Sequence, residues 1–477
     1  MKCLLFQYVF LFLVISLTSC SKDFLEVKEL KSLQVPSTIA DFQAIVDYDF
    51  GFTGYSAHTL GTNGADEYII TDRKWNSLAS DNNLYLRDVY GWSKRIDMIQ
   101  YEKSPDWKRS YFYIFYANNA ISGIQSITPA ASEQAAWNNV KGTALFFRAF
   151  RYYHLAQQYA FPYKKAEDSP NGLPLRLEPD VTMTVKRSSV HATYKQILSD
   201  ALESTELLPV LTKRTNYIRP GKAAAYALVA KIYLMMEEYE NAAHYADLCL
   251  ALRGGLIDFN AIGIDDLPID DFPFSLDYGV SNPEVIYYIT SDQSYTNALY
   301  TISENMATME PSQMALYEPG DLRGDVYFRP FRDMDGYRHR IYKGSYGVYD
   351  MFSGLATDEI YLIRAECNAR INRIDKALQD LNLLLKNRIR TSFFTNITET
   401  DPEKLLQMII KERRKELLFR GTRWEDLRRL NKEARFAKTL VREVAGQRFE
   451  LPPNDPRYTW PIPQSEVDAS GIFQNPR

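Results

Sequence analysis

Residues 222–252, KAAAYALVAKIYLMMEEYENAAHYADLCLAL, carry the strongest internal signal in this chain of 477 residues. The stretch is rich in alanine, breaks once near Glu237-Glu238, and closes at Gly254-Gly255, a fitting helix stop. The same layout returns at residues 358–388, shifted by 135 positions. Ala230 matches Ala365, Tyr239 matches Ile374, Ala242 matches Ala377, Ala246 matches Leu381 and Leu250 matches Leu385. Small residues at these spacings let two antiparallel helices approach, and the large ones fill the gap to the next pair.

A helix–turn–helix unit of this kind resembles the tetratricopeptide repeat. One unit cannot bury its own apolar face, so units must stack on neighbours. Here they are scattered along the chain with long insertions between them. The expected fold is therefore all-α: an irregular helical bundle built on tetratricopeptide-like helix pairs, with long loops and a few short strands, and not a regular superhelix.

Outward from the repeats, helical spacing recurs. Thr38 or Ser37 caps a first helix with the stripe Ile39, Phe42, Ile45 and Val46. Further helices are expected over about 107–127, 132–159 and from Ser188-Ser189 to Leu208. Asp401-Pro402 opens a long one, expected to end at Gly421. Inside it, Lys411 to Glu416 alternates charge, and the spacing pairs Arg413 with Glu416, which reads as a structural ion-pair network rather than a nucleic-acid contact. Val285 to Thr290 reads as a strand inside the longest insertion, residues 256–352. Residues 51–64 and 66–106 show poor periodicity and read as loop.

Rings interleaved with amides stand in these irregular stretches. Aromatics make up 13% of the chain, with 33 tyrosines, enough either for a large aromatic core or for a display of rings. Sugar rings stack on aromatic faces through their C–H side, while polar groups fix the hydroxyls. The ligand-binding candidates are Asp66, Trp75, Asn82 and Tyr85 in the first stretch, and Tyr278, Tyr295, Asn297 and Tyr300 in the second. The same rings could instead plug loops onto the helical body, the reading that suits Tyr90 and Trp92 best. Asn118-Asn119 could bind ligand or tie two helices together.

The N-terminus adds a location. Lys2, an apolar run from Leu4 to Leu17, and Leu17-Thr18-Ser19-Cys20 form an export leader too short to remain as a membrane span. The small residues before the cysteine resemble the lipobox of bacterial lipoproteins, which makes Cys20 the lipid-attachment residue and residues 1–19 the signal peptide. Several acyl chains hold a protein to a membrane where one would not. Cys249 and Cys367 lie in apolar helical patterns and read as core thiols, not as a disulfide. A net charge of −4 leaves no footprint for DNA or RNA.

Glu412-Arg413-Arg414-Lys415-Glu416-Leu417, Phe419-Arg420-Gly421-Thr422-Arg423 and Asp426-Leu427-Arg428-Arg429-Leu430 resemble the C-terminal signature of the SusD/RagB family. The tail Pro461-Ile462-Pro463, Glu466 and Gln474-Asn475-Pro476, the run Tyr361 to Glu366, and Tyr90, Trp92, Trp107, Tyr111 and Ala117-Asn118 fit the same resemblance. It implies a single domain over 20–477, with an N-terminal part of about 20–255 and a C-terminal part of about 256–477. It also implies a glycan-binding lipoprotein on the outer membrane, facing the exterior, that delivers an oligosaccharide to a SusC-like TonB-dependent transporter. The alternatives are a peptide-binding lipoprotein and a surface glycoside hydrolase. His-Glu-x-x-His, Gly-x-x-x-x-Gly-Lys, Cys-x-x-Cys and Gly-x-Ser-x-Gly do not occur, so no catalytic residue, cofactor or metal is expected.

Overall fold

The computed structural model describes residues 35–48, 58–80, 84–96, 98–102, 104–211, 219–268, 271–274, 280–291, 307–332, 338–346 and 351–477. Its helices begin where the local chemistry asks them to. Thr38 starts α1 (Ile39–Val46) with a capping box: its hydroxyl accepts from the Asp41 N–H at 3.1 Å, and the Asp41 carboxylate accepts from the Thr38 N–H at 2.9 Å. The short α2 (Thr59–Gly64), α3 (Asp72–Ser80) and α4 (Leu84–Tyr90) follow. Then come α5 (Pro105–Gln125), with proline in its first turn, and α6 (Gln134–Tyr159). Ser189 caps α7 (Val190–Leu207) by accepting from the Ala192 N–H.

The repeated stretch forms α8 (Lys222–Met235) and α9 (Tyr239–Leu252), then α10 (Thr357–Arg370) and α11 (Ile374–Lys386). Both pairs turn on a non-glycine residue in the left-handed region, Glu237 (φ +61°) and Asn372 (φ +60°), which keep the repeat's 135-residue offset. Each helix of the row packs on its predecessor from α5 to α11. In that row α9 lies directly against α10, so the long insertion loops out and the two matched pairs are neighbours in space. Alanines make the approach possible: Ala224, Ala227 and Ala230 of α8, Ala242 and Ala246 of α9 and Ala365 of α10 are all buried.

Asp401 caps α12 (Pro402–Glu416), and α13 (Thr422–Leu430) follows. The single helix expected to run to Gly421 is thus two. Phe419 (φ +57°) and Gly421 (φ +77°) turn the chain, and a Cβ on Gly421 would fall 2.6 Å from the His58 ring. Among the described residues eight short strands make four two-stranded antiparallel sheets: β1 (Tyr68–Ile70), β2 (Val285–Tyr287), β3 (Ala307–Met309), β4 (Phe328–Arg332), β5 (Arg338–Tyr342), β6 (Leu355–Ala356), β7 (Leu440–Val444) and β8 (Gln447–Leu451) pair as β1–β3, β2–β6, β4–β5 and β7–β8. The region read as loop, 66–106, holds α3 and α4 instead, and residues 59–64 form α2. These helices are too short to show periodicity, and α2 is held by distant groups: the Asp106 carboxylate accepts from the Leu60 N–H at 3.0 Å and Gln158 from the Gly61 N–H at 3.2 Å.

Charge runs through the middle of the helix row. Glu366 of α10 accepts from both Nη atoms of Arg429 at 2.5 and 2.8 Å and from Arg370 Nε at 2.8 Å. Arg413 of α12 joins Asp426 (2.8 Å) to Glu359 (3.1 Å), and Lys231 of α8 joins Glu359 (3.1 Å) to Glu425 (3.3 Å). The Arg370 side chain is 6% exposed and the other groups are buried. Arg413 therefore does not pair with Glu416 as its spacing suggested, because Glu416 is already bound to Arg388 (2.7 Å) and Arg323 (3.1 Å). Cys249 and Cys367 are buried free thiols. Among the described residues no helix is long and apolar enough to cross a membrane.

Burial alone would raise the Glu366 carboxyl, but Arg429 and Arg370 hold it down at about 2. Its contribution is therefore complete above the ordinary carboxylate range and is lost as pH falls toward 2. Glu366→Ala leaves two buried guanidiniums without their shared anion. A loss of about 3–5 kcal/mol in urea unfolding at pH 7 is expected, shrinking as the parent is acidified. A change under about 0.5 kcal/mol, typical of surface sites, would remove Glu366 from the framework.

Candidate functional site

An open groove of about 620 Å³ lies between α3, α4 and the β7–β8 hairpin. Its floor is aromatic. The Trp75 indole of α3 meets the Phe449 ring of β8 at 5.3 Å between centroids, inclined by 45°. From α4 the Arg87 guanidinium lies over Trp75 at 4.8 Å and its Nε donates to the Trp75 carbonyl at 2.7 Å, which fixes the indole. Phe449 is half-buried and rests on bare backbone: a Cβ on Gly91 would come within 2.9 Å of its ring. Asp88, Lys94, Gln447 and Glu450 border the opening. Flat apolar surface with amide and charged groups at its edge suits the C–H face and the hydroxyls of a sugar.

Other contacts set this geometry. Arg442 of β7 reaches inward and stacks against Tyr90 (4.0 Å) and Trp92 (4.5 Å), donating to the backbone carbonyls of Tyr90, Asn63 and Ala65. Tyr90 and Trp92 are wholly buried in this cage, so they clamp the hairpin and offer no face to a ligand. Asn118 likewise ties helix to loop, donating to the Arg176 and Glu178 carbonyls and accepting from Arg148 at 2.9 Å.

Of the candidates read from the sequence, Trp75 lies in the groove floor with 6% of its surface exposed. Tyr85, on α4, is 3% exposed and meets Tyr101 edge-on at 6.5 Å, inside the core. Asp66 is also buried, with Arg423 (2.6 Å), Lys438 (2.8 Å) and Arg414 (3.2 Å) converging on its carboxylate. Burial opposes its ionisation, but these cations hold it well below the usual range. Asn82, Tyr278, Tyr295, Asn297, Tyr300 and Cys20 lie outside the described residues. The β1–β3 register, Ile70 opposite Ala307, nevertheless sets the chain entering α3 beside the chain that follows residue 306. Phe449 was missed. Its signal was available in the Ala445-Gly446 turn between two alternating runs.

Beside Asp66, the buried Glu67 accepts from the Phe419 N–H at 3.0 Å, and burial pushes its carboxyl up to about 7. Elsewhere Glu284, Asp358 and Glu416 bring carboxylate oxygens within 4.8 Å of one another, all buried. Arg388 pairs with Glu284 and Glu416, and Arg420 with Asp358, so guanidiniums already neutralise the cluster. These donors act as a structural knot and are ill suited to a cation.

Glu67 keeps its proton more tightly folded than unfolded, so its contribution is complete at low pH and is lost as pH rises through about 7. Glu67→Gln is expected to melt above the parent at pH 8, and the gain should vanish below the ordinary carboxylate value, at about pH 4. An equal shift at both values would mean that no proton is involved.

Residues 23–234 match a family described as starch-binding and associating with the outer membrane, and residues 357–477 match the SusD family. The groove is built from both matched parts, α3 and α4 from the first and the hairpin from the second. The SusD-like protein P2 of Formosa agariphila is 25% identical, over 78% of this chain and 80% of its own. A SusD superfamily protein from Bacteroides thetaiotaomicron superposes with a TM-score of 0.69 at 20% identity, covering 92% of this chain and all of that one. A second, from Bacteroides vulgatus, gives 0.71 at 20% identity over 92% and 99%. Surface glycan-binding protein A from Bacteroides fluxus gives 0.67 at 17% identity over 92% and 100%. These likenesses describe the fold.

Proposed function

Because the chain belongs to the SusD family, we propose that it captures an oligo- or polysaccharide at the surface of the outer membrane, in the groove floored by Trp75 and Phe449. The observation that carries this reading is the half-exposed Phe449 ring, laid on Gly91 and Trp75 and bordered by hydrogen-bonding groups. A pyranose stacks there, and its hydroxyls reach Asp88, Gln447 and Glu450. Asn82, two positions after the end of α3 in the sequence, is a further candidate contact. Tyr295, Asn297 and Tyr300 belong to the chain leading into β3 and are candidates for the same ligand.

Cys20 would tether the mature protein by its acyl chains, and a SusC-like TonB-dependent transporter would receive the glycan. A tethered binder makes delivery to such a partner nearly intramolecular, so modest affinity suffices. The protein itself performs no chemistry in this scheme.

Affinity electrophoresis through gels cast with different polysaccharides tests the groove. Phe449→Ala is expected to weaken binding to the retained glycan by roughly tenfold, about the worth of one lost stacking contact, while the protein still unfolds in one cooperative transition, at a lower temperature because packing on Trp75 is lost. Unaltered retention would place the ligand elsewhere. In the cell, Cys20→Ala is expected to leave a folded protein that no longer sediments with membranes. Its persistence in that fraction would overturn the lipid assignment.

A further inference from the structure

One face of α5 looks into solvent. The helix buries Tyr113, Ile114, Ala117 and Ile121, and turns Phe112, Phe115, Tyr116 and Asn119 the other way. A helix face in water ordinarily carries charge. Here residues 110–132 contain no Asp, Glu, Lys, Arg or His, and the outward positions hold rings and an amide instead. Tyr48, just after α1, completes the row. Tyr48 is 55% and Phe112 50% exposed.

Neighbouring contacts fix the geometry of this row. Phe112 and Tyr116 stand one turn apart with centroids at 4.8 Å, and Tyr116 lies 6.4 Å from Tyr48 with the two planes parallel within 8°. Phe115 meets Tyr116 edge-on at 5.8 Å. Tyr48 is carried on a pinned residue, because the Asp47 carboxylate accepts from Gln43 Nε2 at 3.0 Å and from Arg219 Nε at 2.8 Å. Asn119 donates to the Phe115 carbonyl at 2.8 Å. Among the described residues nothing bonds to its Oδ1, nor to the Tyr48 and Tyr116 hydroxyls, so all three stay open to a ligand.

We propose that this row is a second carbohydrate surface, and that it takes a run of neutral pyranose units. Their C–H faces stack on Tyr48, Tyr116 and Phe112, and a hydroxyl donates to Asn119 Oδ1. Charge and area choose this occupant. The charges beside the row are paired, Lys108 with Glu102 at 3.8 Å and Asp47 with Arg219, so the face itself gives no anchor to an ionised sugar or an anionic lipid. Two half-exposed rings and two less exposed ones offer roughly 300 Å², against about 800 Å² on each side of a stable protein interface. That area suits a few stacked sugar units and is too small for a second copy of the chain. The assignment rests on the carbohydrate reading of the protein but not on the Trp75–Phe449 groove, with which the row shares no residue. Two modest sites on one chain hold a polymer more firmly than either does alone.

The test is affinity electrophoresis of the full mature chain in gels cast with soluble starch, galactomannan or polygalacturonate. The double variant Tyr48→Ala, Phe112→Ala changes two exposed rings and should keep a cooperative unfolding transition. It is expected to lose at least about fivefold in affinity for the neutral polysaccharide that retains the parent. Tyr48→Phe with Phe112→Tyr keeps both rings and is expected to bind as the parent does. Loss in the alanine variant while Phe449→Ala binds normally would keep the row and refute the groove. Loss in Phe449→Ala with unaltered retention of the alanine variant would refute the row and keep the groove. Retention of the parent by polygalacturonate alone would overturn the neutral assignment. Retention by none of the three would overturn the row and the carbohydrate reading together. A dimer in sedimentation that the alanine variant dissolves, with glycan retention unchanged, would give the face to a second copy and refute the proposal.

Discussion

Glu366 sits on α10 with no surface exposed and three guanidinium nitrogens upon it. Around it, Glu359, Glu425 and Asp426 are bound in the same way by Lys231, Arg413 and Arg429, and the cations come from α8, α12 and α13. A buried charge without its partner costs several kcal/mol, whereas the pair itself gains little over well-packed hydrocarbon. The lattice therefore acts less as glue than as a register. Alanine faces would let α8 to α12 slide against one another at small cost. The charges allow one alignment, in which every carboxylate meets a cation from a different part of the chain.

The same constraint reaches the groove. Arg414 of α12 and Arg423 of α13 bind Asp66, two residues before β1, and so fix where α3 begins. Arg442 does the equivalent for the hairpin, driving a cation into the Tyr90–Trp92 cage and onto carbonyls at the end of α2 and α4. Trp75 and Phe449, 374 positions apart, meet because each is carried by an element tied down through an arginine. A Phe449 ring held in this way needs no rearrangement to receive a flat ligand, which favours binding by lowering its ordering cost.

The helical pairs could be read from the chain because their causes are local. The alanine spacing, the 135-residue offset, the Thr38 and Ser189 caps and the Asp401-Pro402 start all act within a turn or two. The short helices α2, α3 and α4 could not, since their ends are held by Asp106, Gln158 and the hairpin, whose Ala445 N–H donates to Asp72 and whose Arg442 donates to the Tyr90 carbonyl, rather than by their own sequence. Spacing paired Arg413 with Glu416 because it sees one helix surface, while burial brought in Arg388, Arg323 and Asp426 from other elements. Candidate residues suffered likewise. Trp75 was legible as a ring in an irregular stretch, but whether a ring faces solvent or core is decided by tertiary partners. Tyr85 turned inward against Tyr101, and Asp66 became a clamp.

This division of labour has an energetic corollary. Gln447 and Glu450 are exposed, and neither touches the buried lattice. Exchanges at such positions typically change stability by about 0.5 kcal/mol or less, while a break in a buried pair costs about 3–5. Rim chemistry can therefore be rewritten without moving the helix row, and ligand preference can diverge on a constant frame. The aromatic floor stands between these limits. Phe449 is half-buried, so its side chain serves packing on Gly91 and contact with a ligand at once. A larger residue at Gly91 would lift that ring, and so would reshape the floor without altering any group that a ligand touches.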